Sequence, residues 1–117
     1  MIDHVSVAVS DLARSAVFYE AVLAPLGLTK LVTRDATVGF GKAYPEFWIN
    51  LRMGLPAVLQ TTGVHICLRT RDENAVRQLH AAAISHGGAD AGAPGPRQAA
   101  MTTYYGCLLY TSDAADE

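Results

Sequence analysis

The chain has 117 residues, 50% of them apolar and 17% charged, with a formal net charge of −2; this is the composition of one compact domain with a sizeable core, not of a disordered or fibrous chain. Its nine Lys and Arg residues are scattered, so no basic face is offered to nucleic acid or to an anionic membrane. No apolar run approaches ~20 residues and no charged-then-apolar leader starts at Met1, so neither a membrane span nor a secretory signal is expected and the cytoplasm is the default compartment.

Residues 2–9 alternate, with Val5, Val7 and Val9 on one face and His4, Ser6 and Ala8 on the other. This predicts a half-buried strand whose histidine lies on the less apolar side. Ser10 is placed to cap a helix and Asp11 suits its positive first turn. Leu12, Ala16, Tyr19, Leu23 and Leu26 then recur at helical spacing until Pro25 and Gly27 close it. Three strands are expected next, over 28–33, 37–41 and 46–53, separated by Arg34-Asp35-Ala36 and by the Tyr44-Pro45 turn. The first half therefore reads β-α-β-β-β.

Residues 54–62, with Pro56 and no periodicity, form a linker. A strand over 63–70 follows, with Val64, Ile66 and Leu68 opposite His65, Cys67 and Arg69. Asp72 is set to cap a helix whose buried stripe is Val76, Leu79 and Ala83, extended by Ile84, and which ends at His86-Gly87-Gly88. Residues 89–97, rich in Gly, Pro and Ala, read as a loop or an irregular edge strand, and residues 100–110 as one strand. The small acidic residues 111–117 form a weakly structured tail. Cys67 and Cys107 fall on predicted strands with no CxxC spacing, as reduced, buried thiols do.

At an offset of 61 residues the chain repeats: Asp3-His4-Val5-Ser6-Val7 falls on Val64-His65-Ile66-Cys67-Leu68, Asp11 on Asp72 and Gly27 on Gly88. A single duplicated domain follows, with module one at 1–54, a linker at 55–62, module two at 63–110 and a tail at 111–117. The fold class is α+β, two βαβββ modules forming a curved mixed sheet, a half-barrel, with the second module short of its fourth strand.

The duplication brings two equivalent histidines, His4 and His65, toward one site. In the strand at 46–53, Trp48, Asn50 and Arg52 share the polar face, which adds a neutral side-chain oxygen at Asn50. Imidazoles from two strands with oxygens from later ones are what a divalent metal with open positions takes. The same offset puts Thr111 opposite Asn50. Phe40, Trp48, Tyr104 and Tyr105, with Asn50 and Arg52, supply the apolar walls and few polar groups of a small-molecule pocket.

The duplicated plan, Ile2-Asp3-His4-Val5 with Val9-Ser10-Asp11-Leu12 and Phe18-Tyr19, the Trp48-Ile49-Asn50-Leu51 strand and Gly63-Val64-His65-Ile66 resemble the vicinal oxygen chelate superfamily, the glyoxalase/bleomycin resistance/dioxygenase type, over about residues 1–106. The resemblance implies a divalent metal (Zn, Ni, Fe or Mn) held by His4 and His65, with Asn50 standing where the family carries Glu or His. The family's last carboxylate has no counterpart, because residues 107–117 resemble translated vector or adapter sequence and the natural gene is expected to be cut there. The implied chemistry is that of a lyase, isomerase or dioxygenase, in which the metal polarises substrate oxygens. The alternatives are a metal-free protein that sequesters a small organic molecule or antibiotic, and an inactive truncated member. Open sheet edges and apolar surface also predict a homodimer.

Overall fold

A computed structural model describes residues 1–56, 62–98 and 103–110. Module one forms β1 (Val5–Val9), α1 (Leu12–Leu23), a single 3-10 turn (Ala24–Leu26), β2 (Thr29–Thr33), β3 (Thr37–Gly41) and β4 (Pro45–Leu51). The strands make one mixed sheet in the order β1-β4-β3-β2, β1 parallel to β4 and the rest antiparallel. The helix between β1 and β2 lets the chain return so that β1 and β4 run the same way.

Local chemistry sets these boundaries. Asp11, not Ser10, is the N-cap of α1: its backbone is extended and its carboxylate accepts the Arg14 N–H at 3.1 Å. A carboxylate meets the helix's unpaired first N–H groups more strongly than a hydroxyl does. Gly27, at φ +80°, turns the chain out of the 3-10 segment by donating its N–H to the Ala24 carbonyl at 2.9 Å, a left-handed conformation that suits glycine.

Alternation then sorts the sheet's two faces. Val38 and Phe40 of β3 and Phe47 and Ile49 of β4 turn inward to meet Val9, Phe18, Tyr19, Val22, Leu23 and Leu28. Phe40 and Ile49 are fully buried, and the Tyr19 ring lies 5.1 Å from that of Phe47. The opposite face carries Ser6, Thr37, Trp48 and Asn50. One side of the sheet is thus closed by α1, while the other is left open.

Module two begins with a departure from expectation. Residues 63–70 form no strand, and Val64, Ile66 and Leu68 are exposed at 79%, 43% and 39%. In module one β1 exists because β4 lies beside it, from Val5↔Phe47 to Val9↔Leu51. The remaining strands are β5 (Ala89–Gln98) and β6 (Thr103–Tyr110), an antiparallel hairpin. They pair as β2 pairs with β3, so among the described residues nothing stands beside 64–68 as β4 stands beside β1. An extended segment without a partner strand leaves its N–H and C=O groups to water and has no reason to stay a strand. Thr111, which the repeat puts opposite Asn50, lies outside the described residues.

The rest of module two is nearer to expectation. Asp72 caps α2 (Glu73–Ser85), accepting the Asn74 N–H at 2.9 Å. The buried side chains of α2 are Ala75 and Ala83, with Val76 and Leu79 half-buried, while Ile84 is exposed at 43%. This apolar side packs on α1, the 3-10 turn and the β5-β6 hairpin. β5 is the irregular strand anticipated at 89–97, its register shifting between Asp90 and Gly92 and again before Gly95; Pro94 and Pro96, lacking N–H groups, suit an edge position. Cys107 is half-buried, whereas Cys67 is exposed because its segment is unpaired. Among the described residues no helix is long and apolar enough to cross a membrane.

Candidate functional site

The open face of module one holds a broad depression of about 420 Å³ lined by His4, Ser6, Arg34, Thr37, Pro45, Trp48 and Asn50. Each strand of the sheet's centre contributes through its register. Ser6 pairs with Trp48 across β1 and β4, Gly39 with Trp48 across β3 and β4, and Thr37 with Asn50 beyond it. His4 sits just ahead of β1, and Arg34 follows β2 in the turn closed by its N–H to the Thr37 carbonyl at 2.9 Å.

Gly39 sets the pose of the tryptophan. A Cβ at this position would stand 2.9 Å from two carbons of the indole and 3.0 Å from the Pro45 Cβ, so the ring lies across Gly39 where no other side chain leaves room. The Arg34 guanidinium lies 5.8 Å from the centre of that ring, a cation–π distance. No carboxylate pairs with Arg34 or lines the depression among the described residues.

Two polar arrangements complete the floor. The His4 Nδ1 lies 2.8 Å from the Asp3 carboxylate, both side chains exposed. The Thr37 hydroxyl lies within reach of the Ile49 carbonyl at 3.0 Å and of the Asn50 amide at 2.5 Å. A hydroxyl has one proton to give. Donated to Asn50 Oδ1, it leaves the amide NH2 of Asn50, a lining residue, as a donor.

Of the residues singled out from sequence, His4, Trp48 and Asn50 meet in this depression. The others are placed elsewhere. His65 is exposed in the unpaired segment, its Nδ1 3.0 Å from the Gly63 carbonyl, and lines no part of the depression. Phe40, on the inward set of β3, is in the core. Arg52 lies one residue beyond β4 and outside the lining of the depression, its guanidinium donating to the Leu51 carbonyl at 2.8 Å. Tyr104 is half exposed at the hairpin, and the Tyr105 hydroxyl accepts from Arg77 at 3.4 Å, with the guanidinium 5.9 Å from its ring. Ser6, Arg34, Thr37 and Pro45 were not foreseen as a group. Ser6 shares the face of His4, and a hairpin register pairing Thr37 with Asn50 would have found the second; nothing periodic marks Arg34.

Among the described residues no three His, Cys, Asp or Glu side chains lie close enough together to hold a metal ion. The depression offers one imidazole and one neutral amide. That set does not fit a divalent transition metal, which calls for three or more imidazole, thiolate or carboxylate donors.

Elsewhere, the titratable groups of module two form a tie between α2 and β5. His80 Nε2 lies 2.9 Å from Asp90 Oδ1, which also accepts the Gly92 N–H at 3.0 Å. The His80 bond, and after it the Gly92 bond, hold the Asp90 carboxyl below the usual carboxylate range. Burial pushes the Cys107 thiol up, away from reactivity.

No protein-family model and no curated protein sequence matches the chain. Solved structures do. A protein from Albidiferax ferrireducens described as a glyoxalase/bleomycin resistance protein is 28% identical with a TM-score of 0.84, covering 96% of this chain and 91% of its own. A glyoxalase/bleomycin resistance protein/dioxygenase family enzyme from Burkholderia phytofirmans is 15% identical with a TM-score of 0.60, covering 95% of this chain and 90% of its own.

Proposed function

We propose that this protein, whose structural neighbours are glyoxalase/bleomycin resistance/dioxygenase family proteins in keeping with the vicinal oxygen chelate superfamily, binds a small organic molecule on the open face of module one without needing a metal. The depression carries the reading. Its volume of about 420 Å³ suits a small ligand, and it combines one large aromatic surface, Trp48, with a few polar groups at Ser6, Arg34, Thr37 and Asn50. Metal-assisted lyase, isomerase or dioxygenase chemistry would need carboxylate or further imidazole donors that the described residues do not bring to His4.

The chain's single tryptophan lies in the site, so quenching of its emission reports binding there and nowhere else. Binding that persists in excess chelator is expected, and binding abolished by chelator would overturn the metal-free reading. Elemental analysis gives the same decision independently: stoichiometric metal that falls in His4→Ala and His65→Ala would establish the metal-dependent enzyme.

The protein works as a homodimer in this reading. Met53, Leu55, Val64, Ile66 and Leu68 are all exposed, apolar surface that a symmetric second copy would cover. Sedimentation showing a monomer at micromolar concentration would remove this part.

A further inference from the structure

From the pairing of Arg34 with Trp48 we infer the class of ligand: a planar, conjugated organic anion, such as an aromatic or unsaturated carboxylate. The inference rests on reading the open face as a small-molecule site and adds to it both a charge and a shape. The shape comes from the indole. Laid across Gly39, Trp48 turns a broad ring surface to the depression, and flat rings gain most from offset stacking on such a surface.

The charge comes from what the lining contains. Arg34 is a permanent cation whose guanidinium lies 5.8 Å from the indole centre and pairs with no carboxylate among the described residues. A guanidinium presents a planar fork that a carboxylate fills with two parallel hydrogen bonds. No lining residue is acidic, and the carboxylate of Asp3, next to the lining His4, is paired with that histidine at 2.8 Å. Ser6 and the Asn50 amide add uncharged donors on the same face. The guanidinium lies over the indole, 5.8 Å from its centre, so a conjugated acid, whose carboxylate lies in the plane of its π-system, can reach the fork while its ring meets the edge of the indole; an aliphatic ring acid brings no π-surface to it.

The test uses the whole chain in excess chelator, with trans-cinnamate, its uncharged amide cinnamamide, and cyclohexanecarboxylate as probes, followed by Trp48 quenching and by calorimetry. Cinnamate is expected to bind about tenfold or more tightly than either of the others. Arg34→Gln should remove that preference by weakening cinnamate about tenfold while leaving cinnamamide within about twofold, and Arg34→Lys should restore part of it. Arg34 is exposed in a turn closed by its backbone, so both variants keep the fold. Equal binding of cinnamate and cinnamamide would overturn the anion while leaving the small-molecule site standing. Cyclohexanecarboxylate binding as tightly as cinnamate would overturn planarity. Quenching by none of the three would overturn the inference and the site together.

Discussion

β1 and residues 63–70 carry the same alternation of apolar residues around a histidine, yet the first is a strand with Val9 buried and the second is exposed from Gly63 to Arg69. The difference lies in what stands beside them. β4 supplies β1 with a hydrogen-bonding partner and a continuous core, while 64–68 has neither among the described residues. A strand is a property of a pair, and two segments of like sequence part company when only one of them is paired. The open-face site follows the same division: its residues run from His4 to Asn50, all in module one.

The sharpest way to break this comparison is to cut into each half in turn. Phe40 is fully buried beneath Tyr19 and α1, so Phe40→Ala should cost about 3–5 kcal/mol in urea denaturation, a large share of a typical domain's stability. Leu68→Ala, at an exposed position, should cost under about 0.5 kcal/mol. Comparable losses at the two positions would mean that module two holds its first segment as firmly as module one does.

Gly39→Ala tests whether the site depends on module one's backbone. The new methyl group would stand 2.9 Å from the Trp48 ring, so the indole must move, at about 1–3 kcal/mol. The expected result is a shift in tryptophan emission together with loss of ligand quenching. Unchanged emission and binding would show that the ring's pose is set by something other than Gly39.

Much of module one was legible in the sequence because its signals are local and agree. The valine row of β1, the stripe of α1 and the alternation of Phe47 and Ile49 against Trp48 and Asn50 all point to the same buried side. Module two was legible in its helix and its last two strands, but not in its first segment. The alternation at 64–68 is a true local signal, but whether it forms a strand depends on pairing with a distant segment, which periodicity does not report. The site divided along the same line. His4, Trp48 and Asn50 were found because each sits on a patterned strand, whereas Arg34 was missed because a turn carries no period. His65 was tied to His4 by the repeat, an inference about ancestry; position depends on the missing pairing. Phe40 has the aromatic character of a pocket wall, but the alternation of β3 turns it into the core, and Arg52, one residue beyond β4, does not line the depression.

A smaller effect concerns what keeps module two in place. Asp90, held below the ordinary carboxylate range by His80 and by the Gly92 N–H, binds its proton less readily folded than unfolded. Its contribution is therefore present above the unfolded value, roughly pH 4, and is lost as the pH falls through the folded one. Asp90→Asn should lower the melting temperature slightly near neutrality and approach the wild type as the pH drops toward 3. A difference that grows on acidification would mean that the α2-β5 tie is not carried by this carboxylate.

The smallest expected effect bears most directly on residues 64–68. Val64→Ser combined with Ile66→Thr removes apolar surface from side chains exposed at 79% and 43%, so at concentrations too low for any association stability should stay within about 0.5 kcal/mol of the wild type. At higher concentration the same variant should dissociate more readily, because these side chains lie on the face assigned to a second copy, and dimerisation adds to stability only where the partner binds. The two measurements separate the explanations for an apolar alternation left in water. Loss of stability in the dilute monomer would place Val64 and Ile66 inside a single-chain core. Loss of association alone would mean that a second copy covers residues 64–68, which have no partner strand among the described residues.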